Sequence, residues 1–251
     1  MIDIHCHILP GFDDGARDML TTLKMGKDAQ ENNVTKIVAT PHYLCTPSDT
    51  NFVKERDRLI NEVRKNFDEY SINVEVFPGA EVHLNEDVFF DNQLEQLTIN
   101  STRYLLCELD FFSMSIKRIT RYFDEIVSRK LVPILAHPER YEFFQQDYSL
   151  VNYLADMGTL FQINMTSLAG IDSDESKALA TKMVRNGMAA FLATDAHGLG
   201  ARNMRMLSYI QSFSNVMNDE MFYKAVEINP QKVLNGEAVR TKFNHISRHG
   251  F

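Results

Sequence analysis

The chain repeats one pattern seven times: a short β-branched or aromatic run that stops abruptly at a histidine, an acid or an amide. The first run, Ile2 to Ile8, carries His5 and His7. Residues 35–40 lead to Pro41-His42, 73–77 lead through Pro78-Gly79-Ala80 to Glu81, and 103–107 end in Glu108. Residues 131–136 end in His137, 159–163 in Asn164, and 188–194 in Asp195-Ala196-His197. Between the runs the apolar period lengthens from two to about 3.6, the helical repeat. Met19, Leu23, Gly26 and Ala29 mark one helix face; Phe52, Leu59, Val63 and Phe67 a second; Ile116, Ile119, Phe123, Ile126 and Val127 a third; Leu150, Tyr153, Leu154 and Met157 a fourth. Strands alternating with helices make a parallel α/β fold, whose active sites sit at the carboxyl ends of the strands, where these polar residues fall. The expected architecture is a closed or nearly closed (β/α) barrel.

Size agrees with that expectation, since 251 residues with 44% hydrophobic side chains are near the typical length of one such barrel. A single domain over residues 1–251 is expected, with 84–98 as an amphipathic loop and helix and 241–251 as a tail. No apolar run approaches the ~18 residues of a membrane span, and the N-terminus already reads as a buried strand, so a cytoplasmic protein is expected. A net charge of -8 without a dense basic cluster argues against a nucleic-acid surface. The three cysteines, Cys6, Cys45 and Cys107, lack the C-x-x-C spacing of a thiolate metal site. None has an arginine six residues on, as a thiol phosphatase loop needs; those positions hold Phe12, Asn51 and Ser113.

On an extended strand, Ile2, Ile4, Cys6 and Ile8 face one way and Asp3, His5 and His7 the other, so two imidazoles can meet one ion on a rigid support. Five of the eight histidines (His5, His7, His42, His137, His197) fall at expected strand ends; His83, His245 and His249 fall in loop or tail. With Asp14, Glu81, Glu108 and Asp195 they make nine nitrogen and oxygen donors. That is too many for one ion but suits two or three ions sharing carboxylates, and a multinuclear hydrolase follows.

The order His5-x-His7, Asp14, His42, Glu81, Glu108, His137, Asp195-x-His197 resembles the polymerase and histidinol phosphatase (PHP) superfamily of metal-dependent phosphoesterases. Residues 2–10 with Asp13-Asp14-Gly15, Ala39-Thr40-Pro41-His42, Ala136-His137-Pro138-Glu139-Arg140 and Ser167-Leu168-Ala169-Gly170 resemble, more narrowly, the manganese-dependent protein-tyrosine phosphatases of bacterial capsule and exopolysaccharide systems. The resemblance implies a distorted (β/α)7 barrel, TIM-barrel-like, with a trinuclear site. It implies His5, His7, Glu81 and Asp195 around one ion, Glu81, Glu108 and His137 around a second, and Asp14, His42 and His197 around a third, with Asp13 competing for the place of Asp14. Manganese is implied by the family; the donor set itself accepts iron or zinc equally.

The implied reaction is phosphomonoester hydrolysis by water activated between the ions, with Arg140 and Arg202 gripping the phosphate. The alternative for either arginine is a surface ion pair. The implied substrate is a phosphotyrosine protein, the tail of a bacterial capsule tyrosine kinase. Two other readings stand beside it. One is a small-molecule phosphoesterase such as histidinol phosphatase, where histidines typically replace Asp14 and Glu108. The other is a non-catalytic metal-binding module, against which the retention of every ligand weighs.

Overall fold

The computed structural model describes residues 1–111 and 114–247. All seven runs form strands, and two of them are split. The first is β1 (Ile2–Cys6); the second is broken into β2 (Lys36–Ala39) and β3 (His42–Tyr43), the third into β4 (Glu75–Pro78) and β5 (Glu81–His83). The breaks fall at Thr40-Pro41 and Gly79-Ala80, where Pro41 has no N–H to offer a ladder. Then follow β6 (Tyr104–Glu108), β7 (Val132–Ala136), β8 (Leu160–Asn164) and β9 (Ala189–Ala193). Every pairing is parallel, in the orders β1-β2-β4 and β3-β5-β6-β7-β8-β9. Each split run therefore passes from one sheet to the other. A parallel bridge between Cys6 and Ala196, with Asp195 N donating to His5 O and His7 N to Ala196 O at 2.9 Å each, ties β1 to the chain beyond β9. The ring comes round through a bridge instead of a full ladder, as a distorted barrel.

The long helices bury the expected stripes with instructive exceptions. In α1 (Met19–Glu31) and α2 (Phe52–Glu69), Leu23, Gly26, Ala29, Phe52, Leu59, Val63 and Phe67 are buried. In α3 (Ile116–Ser128), Ile116 and Val127 are exposed and Tyr122 is buried instead. Ile116 is the first helical residue, and Val127 is turned about 100° from the buried Ile126. After the short α4 (Glu142–Gln146), α5 (Ser149–Asp156) leaves Tyr153 exposed and buries Val151. Beyond them, α6 (Met165–Ala169), α7 (Asp174–Arg185), α8 (Met206–Ile210), α9 (Asp219–Tyr223) and α10 (Asn229–Leu234) complete the outer layer. α7 is capped by Ser173, whose hydroxyl accepts from Ser176 N, with Asp174 and Glu175 in the first turn.

Residues 84–98 are loop and helix, the helical part being 3-10 turns at Asp87–Phe90 and Leu94–Leu97 that bury Val88, Leu94 and Leu97; the Asn85 side chain accepts from Asp87 N and Val88 N, and Asp91 from Gln93 N. The tail is docked as far as Ile246, which is buried and exchanges hydrogen bonds with the Asn152 side chain at 3.0 and 2.9 Å. His249 lies outside the described residues, as does Ser113. No helix among the described residues is long and apolar enough to cross a membrane.

Apolar side chains segregate into two layers. One gathers Ile2, Ile4, Val38, Leu106, Ile134, Ala136, Leu160 and Ala193, the strand faces turned toward one another, with Ile99 and Leu234 beside them. The other gathers Ile37, Leu105, Leu135, Phe161 and Leu192 with the helix faces. Cys6 and Ile8 belong to the second layer and Ile2 and Ile4 to the first, so these four do not share a face. The β1–β2 register shifts between Asp3 and Cys6, and that irregularity changes which side successive side chains take.

Candidate metal centre

Each inward face climbs from apolar to polar. In β6 the order is Tyr104, Leu106, Glu108; in β8 it is Leu160, Gln162, Asn164. Past β7 and β9 the backbone turns left-handed at His137 (φ 35°) and Asp195 (φ 51°), conformations that cost non-glycine residues about 1–3 kcal/mol and often mark functional sites. Those two turns aim His137 and Asp195 at the space above the barrel core. A third constraint lies at Gly15, where a Cβ would meet His7 O at 2.2 Å, so only glycine lets the Asp13-Asp14 loop fold back over His7.

The structure brings all nine expected donors together in four overlapping groups. They are His7, Asp14, His42 and His197; His5, His7 and Glu81; His5, His137 and Asp195; and His42, Glu81 and Glu108. The Nε2 atoms of His5 and His7 converge to 3.2 Å, with Glu81 Oε2 at 3.1 and 3.3 Å from them and Asp195 Oδ1 at 3.5 and 3.6 Å. Glu81 Oε1 reaches His137 Nε2 at 2.9 Å, so the carboxylate faces both ways. His42 Nδ1 lies 3.1 Å from Glu81 and 3.3 Å from Glu108, while Asp14 Oδ1 is 3.4 Å from both His42 Nε2 and His197 Nε2. Beside the groupings implied by the resemblance, His137 also sits with His5 and Asp195, and His42 also touches Glu81 and Glu108.

The donor set fits metal on an observation of its own. Glu81 Oε2, Asp195 Oδ1, His42 Nδ1, His137 Nδ1 and His197 Nε2 are buried polar atoms without a hydrogen-bond partner. Such orphans are expensive in a protein interior, and here they cluster where ions would satisfy them. Electrostatics agrees. Burial opposes charge on His7 and His42, yet the former's contacts with Asp13 and Glu81 and the latter's with Glu108 and Glu81 hold them up to about 9 and about 11. Glu81 and Asp195 are held well below the usual carboxylate range against the cost of burial, His5 contributing to both. His197 is pushed down to about 4 by burial and by the neighbouring charge of His7.

A second ring of groups aims the first. His5 Nδ1 donates to Gln162 Oε1 at 2.7 Å, which leaves Nε2 facing the cluster, and His7 Nδ1 donates to Asp13 Oδ2 at 2.7 Å. Asp13 also accepts from Gly15 N and His42 N, so its oxygens are taken up while Asp14 faces the donors. Gln162 donates on to Asn164 Oδ1, and Asn164 donates to Asp195 Oδ2, both at 2.8 Å. Arg140 and Arg202 point Nη1 at the same Asp195 oxygen, at 3.1 and 3.4 Å. Of these, Gln162 was not foreseen; a polar residue inside an otherwise apolar buried strand was its signal. His83, expected in a loop, ends β5 with Nδ1 3.5 Å from Glu108. The partly exposed Phe111 ring stacks on His137 and Tyr141 with the Arg140 guanidinium 5.1 Å away.

A parallel barrel whose strand ends gather histidines and carboxylates able to hold metal defines the class. Residues 1–235 match the family described as capsular polysaccharide synthesis, CpsB/CapC. Tyrosine-protein phosphatase YwqE of Bacillus subtilis is 30% identical over 248 residues, 95% of this chain and 93% of that protein. Tyrosine-protein phosphatase CpsB of Streptococcus pneumoniae is 26% identical over 93% of this chain and 98% of its own. A crystal structure from work on YwqE and CpsB, described as unique metal-dependent tyrosine phosphatases, superimposes with a TM-score of 0.89 at 29% identity, covering 99% of this chain and 100% of that one. The Mycobacterium tuberculosis phosphotriesterase shares the fold alone, at a TM-score of 0.54 and 9% identity over 93% of each chain. The chain belongs to the CpsB/CapC family of capsular polysaccharide synthesis.

Proposed function

We infer that this protein is a metal-dependent tyrosine-protein phosphatase of capsular polysaccharide synthesis, one catalytic unit over residues 1–251 that acts in the cytoplasm. The observation that carries the reading is the convergence of buried, otherwise unpartnered histidine and carboxylate atoms at the strand ends. The relatives named tyrosine-protein phosphatases, matched over most of their length, support the choice of substrate. The expected partner is the phosphorylated tail of a capsule tyrosine kinase.

His5, His7, Glu81 and Asp195 would hold one ion, Glu81, Glu108 and His137 a second, and Asp14, His42 and His197 a third, with manganese the metal expected from the family resemblance. The exhaustion of Asp13 by His7, Gly15 and His42 favours Asp14 as the ligand. When bound, such ions offset the charge of the ester oxygens and make a nucleophile available at neutral pH by lowering the pKa of water. The chain does the rest. Gln162, Asp13 and Asn164 fix His5, His7 and Asp195, so little reorganisation is left for the reaction. Arg140 and Arg202, each with further guanidinium donors beyond the Asp195 contact, are placed to grip the phosphate. A phenolate leaves with a pKa of ~10, so departure needs less protonation than an alkoxide would.

Rates with added manganese on phosphotyrosine peptides, histidinol phosphate and a phosphodiester test the assignment. The phosphotyrosine peptides should be hydrolysed fastest. Faster turnover of histidinol phosphate would move the protein to the small-molecule phosphoesterases.

A further inference from the structure

Directly beside the cluster is a cavity of ≈ 550 Å3 between α1 and the loop of residues 198–202. Among the described residues its walls carry three cations, Arg17, Lys24 and Arg202, and no acid, although the whole chain has a net charge of -8. Lys24 is exposed and has no ion-pair partner among the described residues; the Arg17 side chain is 83% exposed, and its one ion pair among those residues is with its neighbour Asp18, at 3.3 Å. Leu20 and Leu199 face each other's elements at 57% and 41% exposure, a small apolar floor between the charges. A Cβ at Gly198 or Gly200 would meet nothing within 4 Å, so the loop offers open main chain to whatever enters. His197 and Arg202 line both this cavity and the cluster, which makes the cavity continuous with the place where a phosphate would sit.

We propose that this cavity is a subsite for the peptide flanking the phosphotyrosine, selecting segments with Asp or Glu side chains beside the scissile residue. The inference rests on the phosphatase reading and adds a substrate class to it. Leu20, Thr21 and Lys24 fall on one side of α1, at the three- and four-residue spacings that bring helix positions into line, and Arg17, on the extended approach to the helix, lines the same cavity. An acidic segment lying there meets opposite charge along its length and one apolar contact. A basic segment meets like charge, which is the repulsive half of specificity.

The manganese-loaded enzyme is assayed on para-nitrophenyl phosphate and on phosphotyrosine peptides of one length with acidic, neutral or basic flanks. The acidic peptide should exceed the neutral one by about three- to tenfold in kcat/KM, through KM, with the margin shrinking as salt is added. R17E combined with K24E should abolish or invert the preference and leave para-nitrophenyl phosphate turnover unchanged, and K24Q should give an intermediate preference. Equal kcat/KM for the three peptides, or a preference that survives in R17E/K24E, overturns the subsite. No hydrolysis of para-nitrophenyl phosphate by the unaltered enzyme would overturn the phosphatase reading and the subsite with it.

Discussion

The two walls of the cluster are built differently. On the inner wall His5, Glu81, His137 and Asp195 are 0–2% exposed. His5 and Asp195 are pinned by Gln162 and Asn164. On the outer wall His42 and Asp14 have side chains 25% and 63% exposed, and the close contacts of Asp14 are His42 and His197 themselves. Orientation of the inner donors is fixed by folding, whereas the outer donors keep freedom that an ion must remove. Ions held by the inner wall should therefore be tight and the outer ion should exchange.

Removing Glu81 should break the comparison most severely. Glu81→Ala should lower kcat by at least about a hundredfold and reduce bound metal by more than one ion, because its two oxygens face different histidines. Unchanged metal content by elemental analysis would end the bridging role. Gln162→Leu should next cost about 10–100-fold in metal affinity while the fold persists, since it frees the His5 ring without touching the cluster. Native-like affinity in that variant would make the inner wall no more organised than the outer.

Acidity sharpens the same contrast. In the metal-free protein His7 keeps its proton up to about 9 and His42 up to about 11, so binding an ion must displace those protons, whereas His197, neutral above about 4, releases none. Apparent metal affinity should rise with pH by roughly tenfold per unit for each proton displaced, more steeply up to about 9, where His7 has lost its proton, and less steeply up to about 11, where His42 has. A flat calorimetric profile would contradict the charge assignment. Asp14→Ala should cost about tenfold in activity and one ion, recoverable by excess manganese; irreversible loss would show the outer wall to be as essential as the inner. The smallest effect belongs to the cysteines. Cys6 Sγ lies against Ala196 O and Met204 Sδ, and burial pushes its thiol well up. Changing Cys6, Cys45 and Cys107 together to Ser or Ala should leave most turnover in a folded protein and no phosphocysteine on rapid quenching.

The ring of strands and the nine donors were legible because both are written locally: apolar runs give the strands, and His42, Glu81, Glu108, His137, Asp195 and His197 stand where a run stops, with His5 and His7 inside the first run and Asp14 in the loop just beyond it. What was not legible depends on register or on partners distant in sequence. The irregularity between Asp3 and Cys6 overrides simple alternation, so Cys6 parts from Ile2 and Ile4. Asp13 and Asp14 are chemically alike, and only the fold of the loop over His7, permitted by Gly15, gives them different partners. Gln162 acts across 157 positions on His5, beyond any local pattern. The cationic cavity joins residues 17–24 to 198–202, which no single stretch of sequence displays.

The central claim is that the cluster is a multi-ion centre and that its ions perform the hydrolysis. Protein stripped by a chelator, verified free of metal and titrated with manganese while phosphotyrosine-peptide hydrolysis is followed, tests it most directly. Turnover should be absent without metal and should recover in a way that saturates as three ions bind, the outer one last. Full activity in the verified metal-free protein, or saturation at a single ion, would contradict it.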